Sequence, residues 1–345
     1  MNILITGAGA LAIVGVVGLA VAEPTTIDES EASLTPQTPK KWEFLVPDEE
    51  WFSINGPIFV GTHEFATEAD GENKILVATT SGSRPKAGVN ASGEILKLKA
   101  ENEDGSPFIY AIRVRGAEAG GFEWSPAGVR TGTVEGTKVA VIDRNGNGVF
   151  GEVGLDAICV GNRLGAALSS KVLRLGDDLF EYGISDDGSK LTYRPFEGET
   201  GKLDVVSEFS LKASLDAAVF TSTSGEYSFD LSDSSKGGAD VPLGTYQLTY
   251  GHVTKGSGSA DIARGRMPNV VVGPTGAVVE WGAEVEGEPI VRRTTDEVTI
   301  TPQYRLFGRG GEEYVAFLPD PSPQRFEITD PETDKRLKKG SLPTG

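Results

Sequence analysis

A single cysteine, Cys159, excludes an intramolecular disulfide, and its place in Ala157-Ile158-Cys159-Val160 reads as a small core residue rather than a nucleophile. Two histidines, His63 and His252, leave little room for histidine-built metal sites or triads. His63-Glu64 does not continue as HExxH, because Thr67 stands where the second histidine would be, so a zincin is excluded. No long apolar pattern of period 3.6 occurs, which removes helical architectures. Basic residues are scarce, 32 against 50 acids, and the formal charge of −18 repels phosphate backbones and anionic lipid. Nucleic acid and membrane surfaces are therefore poor partners, and cations are better ones.

What is abundant is glycine, 45 residues of 345, together with many Thr, Val and Ser. These compose short strands between numerous turns, hence an all-β chain of two to three β-sandwich-like domains. Trp42, Phe44 and Val46 alternate onto one face and predict the first strand. Runs at Ile58–Val60, Ile75–Ala78, Ile95–Leu98 and Phe108–Val114 follow, bounded by turns such as Asp70-Gly71 and Asp104-Gly105. Val172–Leu175, Leu179–Ile184 and Leu191–Pro195 predict a meander. The divisions this suggests are a β domain over 42–210, a second sandwich over 211–310, and C-terminal strands and a tail over 311–345.

Residues 3–22 are an uncharged apolar run ending in Ala20-Val21-Ala22, a small-x-small site before Glu23. The expectation is a cleaved signal peptide over 1–22 and a secreted, periplasmic or cell-envelope protein with no membrane attachment after cleavage. Retention of the run as an anchor is the alternative. Residues 23–41, rich in Pro, Thr, Ser and acid, read as a flexible leader.

The stretch from Asp143 to Asp156, Asp-Arg-Asn-Gly-Asn-Gly-Val-Phe-Gly-Glu-Val-Gly-Leu-Asp, carries the one recognisable chemistry. A hard cation such as Ca2+ takes six to eight oxygens, and a loop supplies them when residues 1, 3 and 5 point inward and a glycine at 6 turns the chain. Asp143, Asn145, Asn147 and Gly148 occupy those places, and Val149 at the seventh donates a backbone carbonyl. The twelfth residue is Gly154, so the closing carboxylate is Glu152 or Asp156. The flanks, Lys138–Ile142 and Ala157–Val160, read as strands, whereas an EF-hand loop lies between helices. The bland alternative is a Gly/Asn-rich connection between strands.

The loop resembles the DxNxNG calcium loops that secreted bacterial proteins carry outside true EF-hands. With the strand, Asp-Gly turn and Leu-Thr-x-x-Pro that follow, residues 130–345 are similar to uncharacterised exported proteins of planctomycete-like bacteria, a resemblance that implies no activity. Pro242-Leu243-Gly244-Thr245-Tyr246-Gln247-Leu248 resembles the P-x-G-x-Y-x-L signature of carboxypeptidase-regulatory, or Cna-B-like, sandwich domains. That resemblance implies a sandwich module used as a spacer or binding unit. Physically, Tyr246 and Leu248 fall on one strand face and enter the core.

Four further groups carry weaker signals. Fifty acids contain many carboxylate pairs, but none is selected as a glycosidase pair. Trp42, Trp51, Trp124 and Trp281 are a sugar-stacking platform or core residues. Asp230, Asp233 and Asp240 match no ligand scheme and read as a solvated turn. The basic cluster Asp334–Gly340 reads as an edge strand guarded by lysines. The expectation from all of this is an exported calcium-binding module for a cell-envelope or polysaccharide ligand. An extracellular polysaccharide hydrolase is the alternative.

Overall fold

The computed structural model describes residues 29–293, 298–319, 325–330 and 332–341. The apolar run 3–22 and the processing site after Ala22 lie outside the described residues. Among the described residues every regular element is a strand, and no helix is long and apolar enough to cross a membrane. The chain is all-β and sandwich-like, as its turn chemistry and alternation require.

Two large cores divide the chain. The first gathers Val60, Phe65, Val77, Leu98, Ile112, Val141 and Leu191, each fully or almost fully buried. It lies between the sheet that contains Glu94–Glu101, Pro107–Gly116 and Phe122–Pro126 and the sheet built on Gly128–Val134, Thr137–Asp143 and Ala157–Val160. The meander forms as its Gly176-Asp177 and Asp187-Gly188 turns dictate, with Val172–Leu175, Asp178–Ile184 and Lys190–Pro195 pairing in antiparallel order.

The second core contains Leu203, Val205, Phe220, Leu231, Tyr246, Leu248 and Trp281. Thr200–Asp204 pairs with Ala239–Pro242 and with Ala277–Val278 and belongs to this core, so the second unit begins before position 211. A separate, larger sheet holds Ser214–Ser222, Gly244–Lys255 and Gly258–Ala263, and Glu313–Leu318 pairs with the last of these, so the second unit reaches past 310. Arg325–Thr329 and Arg336–Ser341 form a separate hairpin whose outer strand is the exposed, lysine-bearing run.

Two local expectations change. Residues 30–37 are not a free leader: Ser30–Ser33 pairs with Lys190–Pro195, and Thr35–Gln37 pairs with Gly128–Val134. The composition is polar because these strands lie on sheet edges, where backbone pairing and two anchors, Ala32 and Leu34, hold them. The Trp42–Val46 run keeps its alternation, with Val46 in a small third core and Trp42 and Phe44 against it. Its ladder is a single parallel bridge from Leu45 to Gly165.

The two units are joined by ion pairs and hydrogen bonds. Arg174 reaches Asp233 at 2.7 Å, Arg163 binds the other Asp233 oxygen, and Lys171 pairs with Glu226 at 2.5 Å. The Leu168 N–H donates to Ser228 Oγ at 3.2 Å.

Candidate calcium loop

The loop is pinned at both ends and in the middle. Ile142 stands opposite Ala157 in an antiparallel pair, so Asp143 and Asp156 are the first residues beyond that rung on their two strands. Phe150 inserts into the first core, and its N–H donates to the Asp186 carbonyl at 3.0 Å. Gly146 and Gly148 have φ of 73° and 79°, the left-handed region that glycine enters without cost. A Cβ at Gly61 would meet the Asn147 carbonyl oxygen at 2.7 Å, so that turn packs directly on the loop.

Asp143 and Asp156 are both fully buried. Asp143 Oδ1 accepts the Gly146 N–H at 2.7 Å, while Oδ2 accepts the Gly148 N–H and the Tyr110 hydroxyl, each at 2.8 Å. The third and fifth positions repeat the device: Asn145 Oδ1 accepts from the Asn147 N–H at 3.0 Å, and Asn147 Oδ1 from the Val149 N–H at 2.8 Å. Asp156 closes the loop, its two oxygens accepting the Arg144 N–H at 3.1 Å and the Glu152 N–H at 3.0 Å. Asp143 Oδ2 has both lone pairs engaged, whereas Asp143 Oδ1, the two asparagine oxygens and the two Asp156 oxygens each accept one of these bonds and keep a second lone pair.

Glu152 is turned differently. Its Oε2 accepts from Asn145 Nδ2 at 3.1 Å and Asn147 Nδ2 at 2.6 Å. Among the described residues no group of three or more His, Cys, Asp and Glu side chains is gathered as a metal cage. Asp143 and Asp156 are buried, Asn145 is half-buried and Asn147 is exposed, while Glu152 is engaged by the two asparagine amides.

The electrostatics fit a cation. Arg144, the nearest base in sequence, sends its guanidinium outward to the carbonyls of Leu155 at 2.7 Å and of Pro47 and Asp48 at 3.2 Å. No ion pair to Asp143, Glu152 or Asp156 forms among the described residues. Burial lifts the Asp143 carboxyl up to about 6, against the hydrogen bonds from Tyr110, Gly148 and Gly146 that lower it. Burial and then the charge of Asp143 lift Asp156 to about 7. A divalent cation favours the ionised form of both.

A pH dependence follows for the metal-free chain. Both folded-state values lie above the ordinary 3.8, so the folded protein holds more protons than the unfolded one. The stability these groups contribute is present below about pH 4 and is lost as pH rises through about 6 to 7. In chelator, the melting temperature is expected to fall between pH 5 and pH 8, by the equivalent of roughly 1–3 kcal/mol. Asp156→Asn should flatten that decline, and a decline unchanged in the variant would show that other groups cause it.

The sequence did not single out Tyr110 or Phe150, although alternation along Pro107–Gly116 places Tyr110 inward, where its hydroxyl needs an acceptor. Beside the loop lies a polar cleft of about 590 Å³. His63 lines it, with its ring 4.2 Å from that of Phe108 and its Nε2 3.0 Å from Asn102 Oδ1.

The remaining sequence candidates resolve as structural groups. Asp230 Oδ1 accepts the Ala218 N–H at 2.9 Å, Asp233 is held by Arg163 and Arg174, and Asp240 pairs with Lys202 at 3.3 Å. The solvated turn expected for these acids is not what forms: Asp230 is buried on a backbone amide, and Asp233 and Asp240 are paired with bases. Trp281 is fully buried and donates Nε1–H to the Val205 carbonyl at 2.7 Å. The Arg113 guanidinium lies 4.2 Å from the Trp42 ring and 4.8 Å from that of Trp51, and Arg115 lies 3.7 Å from Trp51. Those ring faces meet cations of the same chain, so they form no open stacking platform. Cys159 is buried, and burial pushes its thiol up to about 11, as befits a core residue.

Comparison of the chain with protein-family models, with curated proteins and with solved structures finds no match.

Proposed function

We propose that the protein is an exported, calcium-stabilised β-sandwich module of the cell envelope, whose 143–156 loop binds one Ca2+ and thereby fixes the sheet ends of the first unit. The carrying observation is the pair of buried carboxylates, Asp143 and Asp156, at the two ends of the loop, close enough that the charge of one raises the other, with amide and hydroxyl partners and no basic one among the described residues. Asp143, Asn145, Asn147 and Asp156 side chains and the Val149 carbonyl would hold the ion, with Glu152 as the exchangeable carboxylate. The ion supplies charge neutralisation and cross-links the two strands; no reaction is routed through it.

Few formal charges and the absence of flanking helices set a weak affinity, ~10⁻⁴–10⁻³ M, the range of extracellular modules. Equilibrium dialysis should find one Ca2+ per chain in that range and much weaker Mg2+, which demands tight octahedral geometry. Saturation absent at ~10 mM Ca2+ contradicts the assignment. The export part of the reading rests on the Ala20-Val21-Ala22 site: the first residue of protein recovered from envelope or medium should be Glu23, and an intact Met1 would instead indicate an anchored form.

The module reading is preferred to a polysaccharide hydrolase because a hydrolase needs a cleft acid held protonated near neutrality. In the polar cleft, hydrogen bonds from the Ser106 side chain and backbone hold Asp104 below the usual carboxylate range. Burial pushes Asp187 up, but hydrogen bonds from Ser185 and Ser189 outweigh it and leave that acid low as well.

A further inference from the structure

An apolar groove of about 510 Å³ opens on the second unit, away from the calcium loop. Its floor is one face of the large sheet, from Val253 and Ala260 to Tyr314, and its walls are Leu211, Leu306 and Phe317. Leu318 and Val285 line its margin and are 69% and 39% exposed, so the groove's apolar surface continues onto open side chains. The volume falls in the range of small-molecule sites, and the lining has their character of an apolar wall with few polar groups.

The charge of the groove is opposite to that of the molecule. The chain has 50 acids and 32 bases, yet no acid is among the described residues lining the groove, and two lysines are, Lys212 and Lys255. Ser214 pairs with Thr254 and Lys255 with Gly258, so the register brings both lysines to one end of the sheet. Both are exposed, and neither pairs with an acid among the described residues. At the other end, Leu306, Tyr314 and Ala283 are the described lining residues, and the nearest carboxylate, Glu312, is fully buried behind them on the Tyr314 hydroxyl and the Gly282 N–H. The lysine end and the Tyr314 end are separated by the rungs from Gly258 to the one where Tyr314 stands opposite Ile262, roughly 13 Å at the rise of a strand.

We infer that this groove binds a single-chain fatty acid or a like anionic amphiphile, the alkyl chain along Val253, Ala260 and Leu306 and the carboxylate at Lys212 and Lys255. Nothing in the inference depends on the calcium loop, so it stands or falls separately from the proposed function. The apolar wall supplies affinity through the area it removes from water, and the lysines choose the sign of the head group.

The test is calorimetric titration of the full chain with dodecanoate in chelator, which also keeps the carboxylate from precipitating with calcium. One site per chain is expected, with octanoate weaker by at least tenfold because four fewer methylenes are buried. The cationic amphiphile dodecyltrimethylammonium should bind at least tenfold more weakly than dodecanoate. Lys212→Glu/Lys255→Glu should lose most of the dodecanoate binding and narrow or invert that preference. Leu318→Asp, at an exposed position where folding is spared, should weaken both amphiphiles. No saturable binding of dodecanoate, equal binding of the cationic amphiphile to the parent chain, or unchanged affinity in the lysine variant with its melting temperature intact would each overturn the inference.

Discussion

Tyr246→Ala is expected to unfold the second unit well before the first, with a loss of ~3–5 kcal/mol, the range for truncating a buried aromatic residue. Tyr246 is fully buried, and its hydroxyl donates to the Pro242 carbonyl at 2.8 Å, closing the turn that Pro242 and Gly244 make. Its neighbour on the same face, Leu248, is 2% exposed. The truncation therefore removes core volume and a hydrogen bond that fixes the entry of the strand Gly244–Lys255, which pairs with Ser214–Ser222, Gly258–Ala263 and Val270–Val272. Tyr246→Phe isolates the second contribution and should cost about 1 kcal/mol. A Tyr246→Ala protein melting within about a degree of the parent would mean that this strand does not organise the second core, since a loss of roughly 1 kcal/mol already moves a small domain by several degrees.

Asp143→Ala is expected to destabilise the first unit by ~2–4 kcal/mol even in chelator, because it leaves the Gly146 and Gly148 amides and the Tyr110 hydroxyl without their shared acceptor. The effect follows from burial, as Asp143 and Tyr110 are 0% and 2% exposed. Tyr110→Phe should reproduce part of this loss, and thermal melts of both variants in chelator measure it. A chelator-treated Asp143→Ala protein as stable as the parent would show that these three bonds contribute nothing net. Since Asp143 holds the loop together in its own right, the baseline stability of this variant does not report calcium; only its calcium-dependent shift does.

Much of this architecture was legible from alternation and turns. Val172–Leu175, Asp178–Ile184 and Lys190–Pro195 follow from apolar residues at every second place with Gly176-Asp177 and Asp187-Gly188 turns between them. The inward placement of Tyr246 and Leu248 came from the same rule. The loop as a Gly/Asn-rich connection between two strands was legible too, because Asn, Asp and Gly bond their own backbone in only a few ways; Asp143 is buried there, whereas Asn147 is exposed. The strands at 30–37 were hidden because an edge strand needs few apolar residues, and its partners lie far along the chain. The Tyr110 bond to Asp143 and the cationic boxing of Trp42 and Trp51 by Arg113 and Arg115 were hidden for the same reason: they join residues brought together only by sheet pairing. Glu152 was expected to close the loop as a ligand or leave that to Asp156; the fold turns Glu152 to the asparagine amides and seats Asp156 in the interior.

The most direct measurement is the melting temperature of the first unit in ~10 mM Ca2+ against chelator, for the parent chain and for Glu152→Gln and Asp143→Ala. With the expected affinity, mass action gives the parent ~1.4–2.7 kcal/mol, a rise of a few degrees. Mg2+ should give much less. Glu152→Gln keeps the shape of a half-buried side chain while removing one charge, so its chelator baseline should stay near that of the parent and its calcium shift should shrink. Asp143→Ala should show no shift at all. A parent chain that melts at the same temperature with and without calcium, or an Asp143→Ala chain that shifts as much as the parent, would contradict the account and leave residues 143–156 as a connection between two strands.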